Sequence, residues 1–264
     1  MAVPDSPHHV LQLWADFACF TRPEMKVERY SYPCPTPSAA RGALEAIYFK
    51  PQFFWQVRRI ELLAPPSYIA LRRNEVKDKL NATAAGRWMA GKESPEPIWA
   101  DADKGLLGTD QKGRTQRQTM ALRDPRFRVT AQIVPRPGHE AKQKSFDEQF
   151  VRRASQGKCF QQPYLGCREF VAFFRYVPTL DAEPAPCDYS QDLGWMLYDT
   201  FDLQTDNHAP LVDKNDPSQR KPGGWKKIAP SVSVFRARVE RGVLEVPAFD
   251  SPEVRKPDDE RRSA

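Results

Sequence analysis

No stretch of these 264 residues approaches the roughly 18 uninterrupted apolar positions of a membrane-spanning helix, so no membrane partner is expected. The opening MAVPDSPHHV lacks the basic-then-apolar layout of a secretory signal, which predicts a cytoplasmic protein. The five cysteines (Cys19, Cys34, Cys159, Cys167, Cys187) are odd in number, widely spaced and never in a C-x-x-C pair. Neither a disulfide framework nor a zinc knuckle is indicated, and the thiols are expected to be reduced. The four histidines (His8, His9, His139, His208) show no metal-ligand spacing. DKNDPSQRKPGG has the carboxylates of a calcium loop but neither the central glycine nor the terminal glutamate, and reads as a plain loop. Phosphate-binding loops, G-x-G-x-x-G, H-E-x-x-H and G-x-S-x-G are all missing. No metal or cofactor is expected, and no internal repeat is visible.

What is present is positive charge. Lysine and arginine number 40 against 34 acids, a net charge of +6 with a pI near 9.1. The excess is clustered in RRNEVKDK, KGRTQRQTMALRDPRFR and FVRRASQGK, which suits a polyanion, although any one run alone could be a solvated face. A hydrophobic content of 40% is enough to fill the core of one large domain or two modest ones.

The element pattern is mixed. HHVLQLWADFACF alternates as a strand, with Leu11, Leu13, Ala15 and Phe17 on one face. Ser38 stands as an N-cap before AARGALEAIY, whose Ala40, Ala43, Leu44 and Ile47 form an apolar stripe; the opposite face carries Arg41, Glu45 and Tyr48. FFWQVRRIELL and YIALRRNEV read as strands, and the stretch after them as a long mobile insertion. RTQRQTMALRD and RFRVTAQIV read as strands joined at Asp124-Pro125, FDEQFVRRA as a helix stopped by Gly157, and REFVAFFRYV as a further strand. In RFRVTAQIV the apolar Phe127, Val129, Ala131 and Ile133 face away from Arg126, Arg128, Thr130 and Gln132, implying a one-sided sheet.

Without the insertion, the order strand, helix, strand, strand, helix, strand predicts an α+β fold of ferredoxin-like, RRM-like type, with one sheet face free. The expected domain spans 1–178 with the insertion at about 68–116. A small antiparallel β-rich lobe at 179–250 would contain a hairpin turning at Arg241-Gly242, and a disordered tail would follow at 251–264.

Basic and aromatic residues are what remain for chemistry. Metal-free RNA cleavage requires activation of a ribose 2′-hydroxyl, stabilisation of charge on the phosphorane and a proton for the leaving 5′-oxygen. Tyr48, at the hinge of helix and strand with Lys50 and Arg41 nearby, could orient that hydroxyl, or could simply close the helix by packing. At an ordinary pKa of about 10, only about one tyrosine in a thousand is ionised at pH 7, so stripping the proton outright is the weaker role. A second group, His139, Lys142 and Lys144, lies in PGHEAKQKSF. A third, GKCFQQPYLGCREF, has glycines for close approach, aromatics that can stack, and Arg152, Arg153, Lys158 and Arg168 nearby for phosphates.

Three stretches together, ADFACFTRPEMKVERYSYPCPTPSAARGALEAIYFKP, IALRRNEV…RTQRQTMALRD and GKCFQQPYLGCREF, resemble the CRISPR-associated protein five of subtype I-C (the Dvulg type), in the RAMP superfamily. The likeness runs over about residues 10 to 176 and more loosely beyond. It implies a ferredoxin-like domain with an inserted β-hairpin acting as a thumb over guide RNA, and a small β-rich lobe. It also implies cleavage of precursor CRISPR RNA at the base of the repeat hairpin, and retention of the 5′ handle within the Cascade complex. The partners implied are CRISPR RNA and the other Cascade subunits, with double-stranded DNA as a further expectation from the basic surface.

The family's catalytic tyrosine matches Tyr48. Its lysine aligns with Lys144, or with Lys142, while Ser145 and Phe146 stand where the following histidine would be and His139 lies upstream. The residues expected to contact RNA are Arg22, Lys26, Arg29, Arg41, Lys50, Arg72, Arg73, Arg114, Arg117, Arg123, Arg152, Arg153, Lys158 and Arg168.

Overall fold

Strict alternation builds the centre of the molecule. In β1 (His9–Trp14) the inward residues Leu11 and Leu13 are fully buried, and Phe17–Ala18 continue as the short β2. The computed structural model describes residues 7–25, 27–79, 81–95, 98–109, 111–203, 220–221, 224–225 and 231–257. After β3 (Arg29–Tyr30) comes α1 (Pro37–Ile47), which begins one residue before the expected cap: Thr36, not Ser38, accepts from the Ala39 N–H, and Pro37 occupies the first turn. β4 (Phe53–Leu62) and β5 (Tyr68–Val76) follow.

The insertion is not structureless. It holds two short helices, α2 (Ala82–Met89) and α3 (Lys104–Leu107), capped by Asn81 and Asp103. The chain then returns through β6 (Arg114–Arg123), which pairs with β5 over its whole length. At the turn into β7 (Arg126–Pro135), Asp124 takes φ 48°, one of the few non-glycine residues that tolerate it. α4 (Gln143–Ser155) ends where Gly157 adopts φ 66°, and β8 (Phe173–Val177) follows.

The C-terminal strands are β9 (Gln191–Asp199), β10 (Arg220–Lys221), β11 (Gly224–Trp225), β12 (Ser233–Glu240) and β13 (Val243–Glu245). The main sheet has seven antiparallel strands in the order β8-β1-β7-β4-β13-β12-β9. A smaller sheet joins β2, β6 and β3, with β5 on β6, and β10 pairs with β11.

Both long helices lie on one face of the main sheet. Phe150 of α4 sits edge-on to Trp55 at 4.6 Å and to His9 at 5.0 Å, while α1 packs on β4 and β9. Burying large aromatic rings here supplies a major part of the apolar stabilisation.

Three expectations are corrected. The C-terminal strands do not form a separate lobe, because β13 pairs with β4 through Glu61, Ile60 and Arg59 and so extends the same sheet. The outer face is covered in part, across β7 and β4, and stays open along β1 and β8, where Phe173 and Arg175 are exposed. Arg128 and Glu61, opposite one another across β7 and β4, form a buried bidentate pair at 2.5 and 3.1 Å, and Arg128 also donates to the Pro184 carbonyl at 3.0 Å. Gln56 on the same face bonds Tyr198 and the Phe249 N–H, so later chain covers what alternation alone leaves open. The described start of the expected disordered tail is folded: Val254 is 2% exposed, and Arg255 exchanges two backbone hydrogen bonds with Val234. The remainder of that tail, His208 and most of DKNDPSQRKPGG lie outside the described residues.

Arg41, expected on the RNA surface, is an interior tie between α1 and β9. It grips Asp199 with Nε and Nη2 at 2.7 and 3.1 Å and Glu45 with Nη1 at 2.6 Å, and Asp199 is only 1% exposed. Removing one partner of a buried pair strands the other. Arg41→Met is therefore expected to lower the free energy of unfolding by about 3–5 kcal/mol in a urea titration.

Candidate active site and nucleic-acid interface

A helix end exposes carbonyls that need donors. At the end of α1 the donors come from far along the chain. Ala46 O accepts from the N–H groups of Phe160 (2.8 Å) and Gln161 (3.1 Å), and Ile47 O accepts from Arg153 Nε (2.8 Å). Tyr48 leaves helical geometry at φ −149°, ψ 117°; its N–H closes the last turn on Leu44 O, and its own carbonyl accepts from Trp55 Nε1 at 3.0 Å. Tyr48 is thus held on its backbone from both sides and on its ring by Phe53, 5.3 Å away.

Only 7% of Tyr48 is exposed, but what shows lines a cleft of about 510 Å³ shared with Lys50, Ser145, Gln149, Arg153 and Phe160. Burial raises the phenol's pKa above its ordinary value of 10; the Arg153 charge opposes this and the Asp147 carboxylate adds to it. At neutral pH the Tyr48 phenol is protonated, and Lys50 and Arg153 line the same cleft.

The second predicted group is not brought into this cleft. Lys144 is an exposed residue of the first turn of α4, with Nζ 3.9 Å from Glu148. Lys142 ends the 3-10 turn Glu140–Lys142, and His139 precedes it. Ser145 and Gln149, on the face of α4 turned toward α1, reach the cleft instead. Behind it, His9 Nε2 and Asp147 Oδ1 form a buried contact at 2.7 Å, and Gln143 Nε2 donates to Asp147 Oδ2 at 2.8 Å, fixing α4 to β1. That link was invisible in the sequence, where His9 is one inward position of an alternating strand.

A second concavity of about 480 Å³ lies on the small sheet, where Arg29, Arg72 and Arg117 converge with Tyr30, Met25 and Met120. Arg117 also pairs with Glu75 at 3.0 Å, and Arg73 is turned to Glu169 and Thr119. Arg22 stacks over Tyr32 at 4.5 Å. Arg123 pairs with Asp124 and Arg152 with Gln149, while Arg114, Lys158 and Arg168 are exposed; Lys26 is outside the described residues.

The glycine-containing loop is pressed onto β2. Gly166 has φ 83°, and a Cβ there would fall 2.0 Å from Cys19 O, so only glycine fits. Beside it the Cys167 thiol has its pKa lowered to about 6 by a hydrogen bond with Cys19 and by the Arg29 and Arg73 charges. Among the described residues, no group of three or more His, Cys, Asp or Glu side chains could hold a metal ion, and no helix is long and apolar enough to cross a membrane.

A profile of the family described as CRISPR-associated protein (Cas_Cas5) matches residues 10–247. The chain belongs to this Cas5 family. Among Cas5 relatives, a Mannheimia succiniciproducens protein named CRISPR pre-crRNA endoribonuclease Cas5d is 34% identical over 252 residues, covering 93% of this chain and 97% of the relative. A Thermus thermophilus protein of the same name is 37% identical over 239 residues, covering 90% of each. A crystal structure of a CRISPR-associated protein shares the fold, with a TM-score of 0.58 at 15% identity, covering 97% of this chain and all of that one.

The raised tyrosines have a measurable consequence. Tyr48, Tyr32, Tyr68 and Tyr198, and the Cys34 thiol pushed up to about 12, all ionise more readily unfolded than folded. Their contribution is complete below the unfolded pKa values of about 8.5 (Cys) and 10 (Tyr) and is lost as pH rises through and beyond them. The urea midpoint is expected to fall steeply above pH 9 to 10. A 295 nm titration should show the absorbance lost in Tyr48→Phe belonging to a group that ionises above pH 10.

Proposed function

We propose that this protein is an endoribonuclease that cuts precursor CRISPR RNA at the base of the repeat stem-loop and then holds the 5′ handle as a subunit of the type I-C Cascade complex. The names carried by the two Cas5d relatives support the substrate. The observation that carries the mechanism is the fixed, protonated Tyr48 beside Lys50 and Arg153.

In the proposed reaction a ribose 2′-oxygen attacks the adjacent phosphorus in line. Its proton passes to solvent or a nearby base, and the 5′-oxygen leaves with a proton, giving a 2′,3′-cyclic phosphate and a 5′-hydroxyl. Tyr48, being neutral, donates a hydrogen bond that orients the attacking or phosphoryl oxygen, while the two cations offset charge on the phosphorane. No step in this scheme calls on a bound metal ion.

The order β8-β1-β7-β4, with α1 and α4 on one face, supports reading that part as a ferredoxin-like domain of the RAMP kind, and β5–β6 as its thumb. Under this reading the Arg29, Arg72 and Arg117 concavity takes handle phosphates. One observation favours a second reading, a handle-binding subunit that does not cut: Lys144, Lys142 and His139 do not line the Tyr48 cleft.

Stoichiometric protein mixed with its cognate repeat RNA in EDTA decides between them. Cleavage is expected, slowed on the order of a hundredfold or more by Tyr48→Phe. Uncut RNA, or an unaffected Tyr48→Phe variant, would refute the catalytic reading. Lys144→Ala and His139→Ala are expected to change the rate less than Tyr48→Phe.

A further inference from the structure

We propose that Phe160 is a stacking platform for one unpaired base next to the scissile phosphate. This rests on the endoribonuclease reading and adds a substrate requirement to it: a nucleotide of the repeat must be out of the helical stack for the cut to occur.

Phe160 is 83% exposed, an unfavourable position for a large apolar side chain. Exposure of one phenylalanine is ordinary, but its placement is not. The N–H groups of Phe160 and Gln161 both bond Ala46 O, so the backbone bearing the ring is anchored to the helix end that carries Tyr48. Gly157, at φ 66°, turns the chain out of α4 so that this anchoring can occur. The ring therefore stands as one wall of the cleft, with Tyr48, Lys50 and Arg153 on the others.

A flat apolar ring lining the same cleft as a tyrosine and two cations matches the two halves of a nucleotide: a base with a π-face and a phosphate with negative charge. A base inside a duplex cannot use such a wall, because both of its faces are already stacked on neighbours; an unpaired base beside the stem has a free face. Phenylalanine offers no hydrogen-bond donor or acceptor, so the site selects unstacked geometry rather than base identity.

The test combines Phe160→Ala and Phe160→Trp with repeat RNA carrying an abasic site at each nucleotide flanking the cut, measuring single-turnover rate against protein concentration. Phe160→Ala is expected to weaken half-saturation roughly tenfold, with Phe160→Trp restoring it, because stacking tolerates any aromatic ring. One abasic substitution should impose the same loss on wild type and no further loss on Phe160→Ala. Wild-type behaviour of Phe160→Ala, or losses that simply multiply, would overturn the proposal. If wild type binds without cutting, the catalytic reading fails, and the same pair of substitutions scored by equilibrium binding still decides whether Phe160 stacks.

Discussion

The carbonyl groups at the end of α1 fix the Tyr48 cleft in place. A helix terminus inside a protein must find donors, and this one draws them from α4, from the loop after it and from β4. Each bond is ordinary, but together they tie β4, seven residues on, and the α4 end with its following loop, more than a hundred residues on, to the residue that emerges between them. A tyrosine flanked in this way is poor material for a flexible surface contact and good material for a positioned hydroxyl. The same geometry sets its protonation: partial burial keeps the phenol neutral, and Arg153, which caps Ile47, also places a charge near the ring.

The rest of the fold keeps that junction in register. The buried His9–Asp147 contact and the aromatic stack of Trp55 and Phe150 seat α4 on the sheet. Arg41 with Asp199 seats α1 against the strand at the opposite edge. The C-terminal strands thereby become part of the support beneath the Tyr48 cleft. Buried ion pairs contribute less net stability than their short distances suggest, but they penalise alternative registers heavily, which suits elements that must present a side chain within a fraction of an ångström.

Much of the architecture was legible from local pattern. Leu11 and Leu13 on one side of β1, Gly157 after α4 and the Arg241-Gly242 turn, at φ 46° and 77°, each follow from a short-range rule and stand where it puts them. Tyr48 at the helix-to-strand junction was legible for the same reason. Long-range pairing was not. Nothing in the spacing of VERGVLEVP says that β13 will add to β4, or that Arg128 will find Glu61 and so fill a face that alternation marks as polar and open. Arg41 misleads for a related reason: at i and i+4 with Glu45 it looks like a surface pair, and only Asp199, 158 residues later, draws it inside. The departure at Ser145 was visible and the Lys144–Glu148 pair is a local i, i+4 contact, whereas the presence of Gln149 in the Tyr48 cleft depends on how α4 is rotated on the sheet.

What matters is where the Tyr48 phenol sits relative to the scissile phosphate, which is read from a structure of the protein bound to repeat RNA made uncleavable by a single 2′-deoxy substitution at the cut. The phosphate following that sugar is expected within hydrogen-bonding distance of the Tyr48 hydroxyl, with Lys50 and Arg153 flanking it. A phosphate resting elsewhere, for instance in the Arg29, Arg72 and Arg117 concavity, with the Tyr48 cleft empty, would rule out this role for Tyr48.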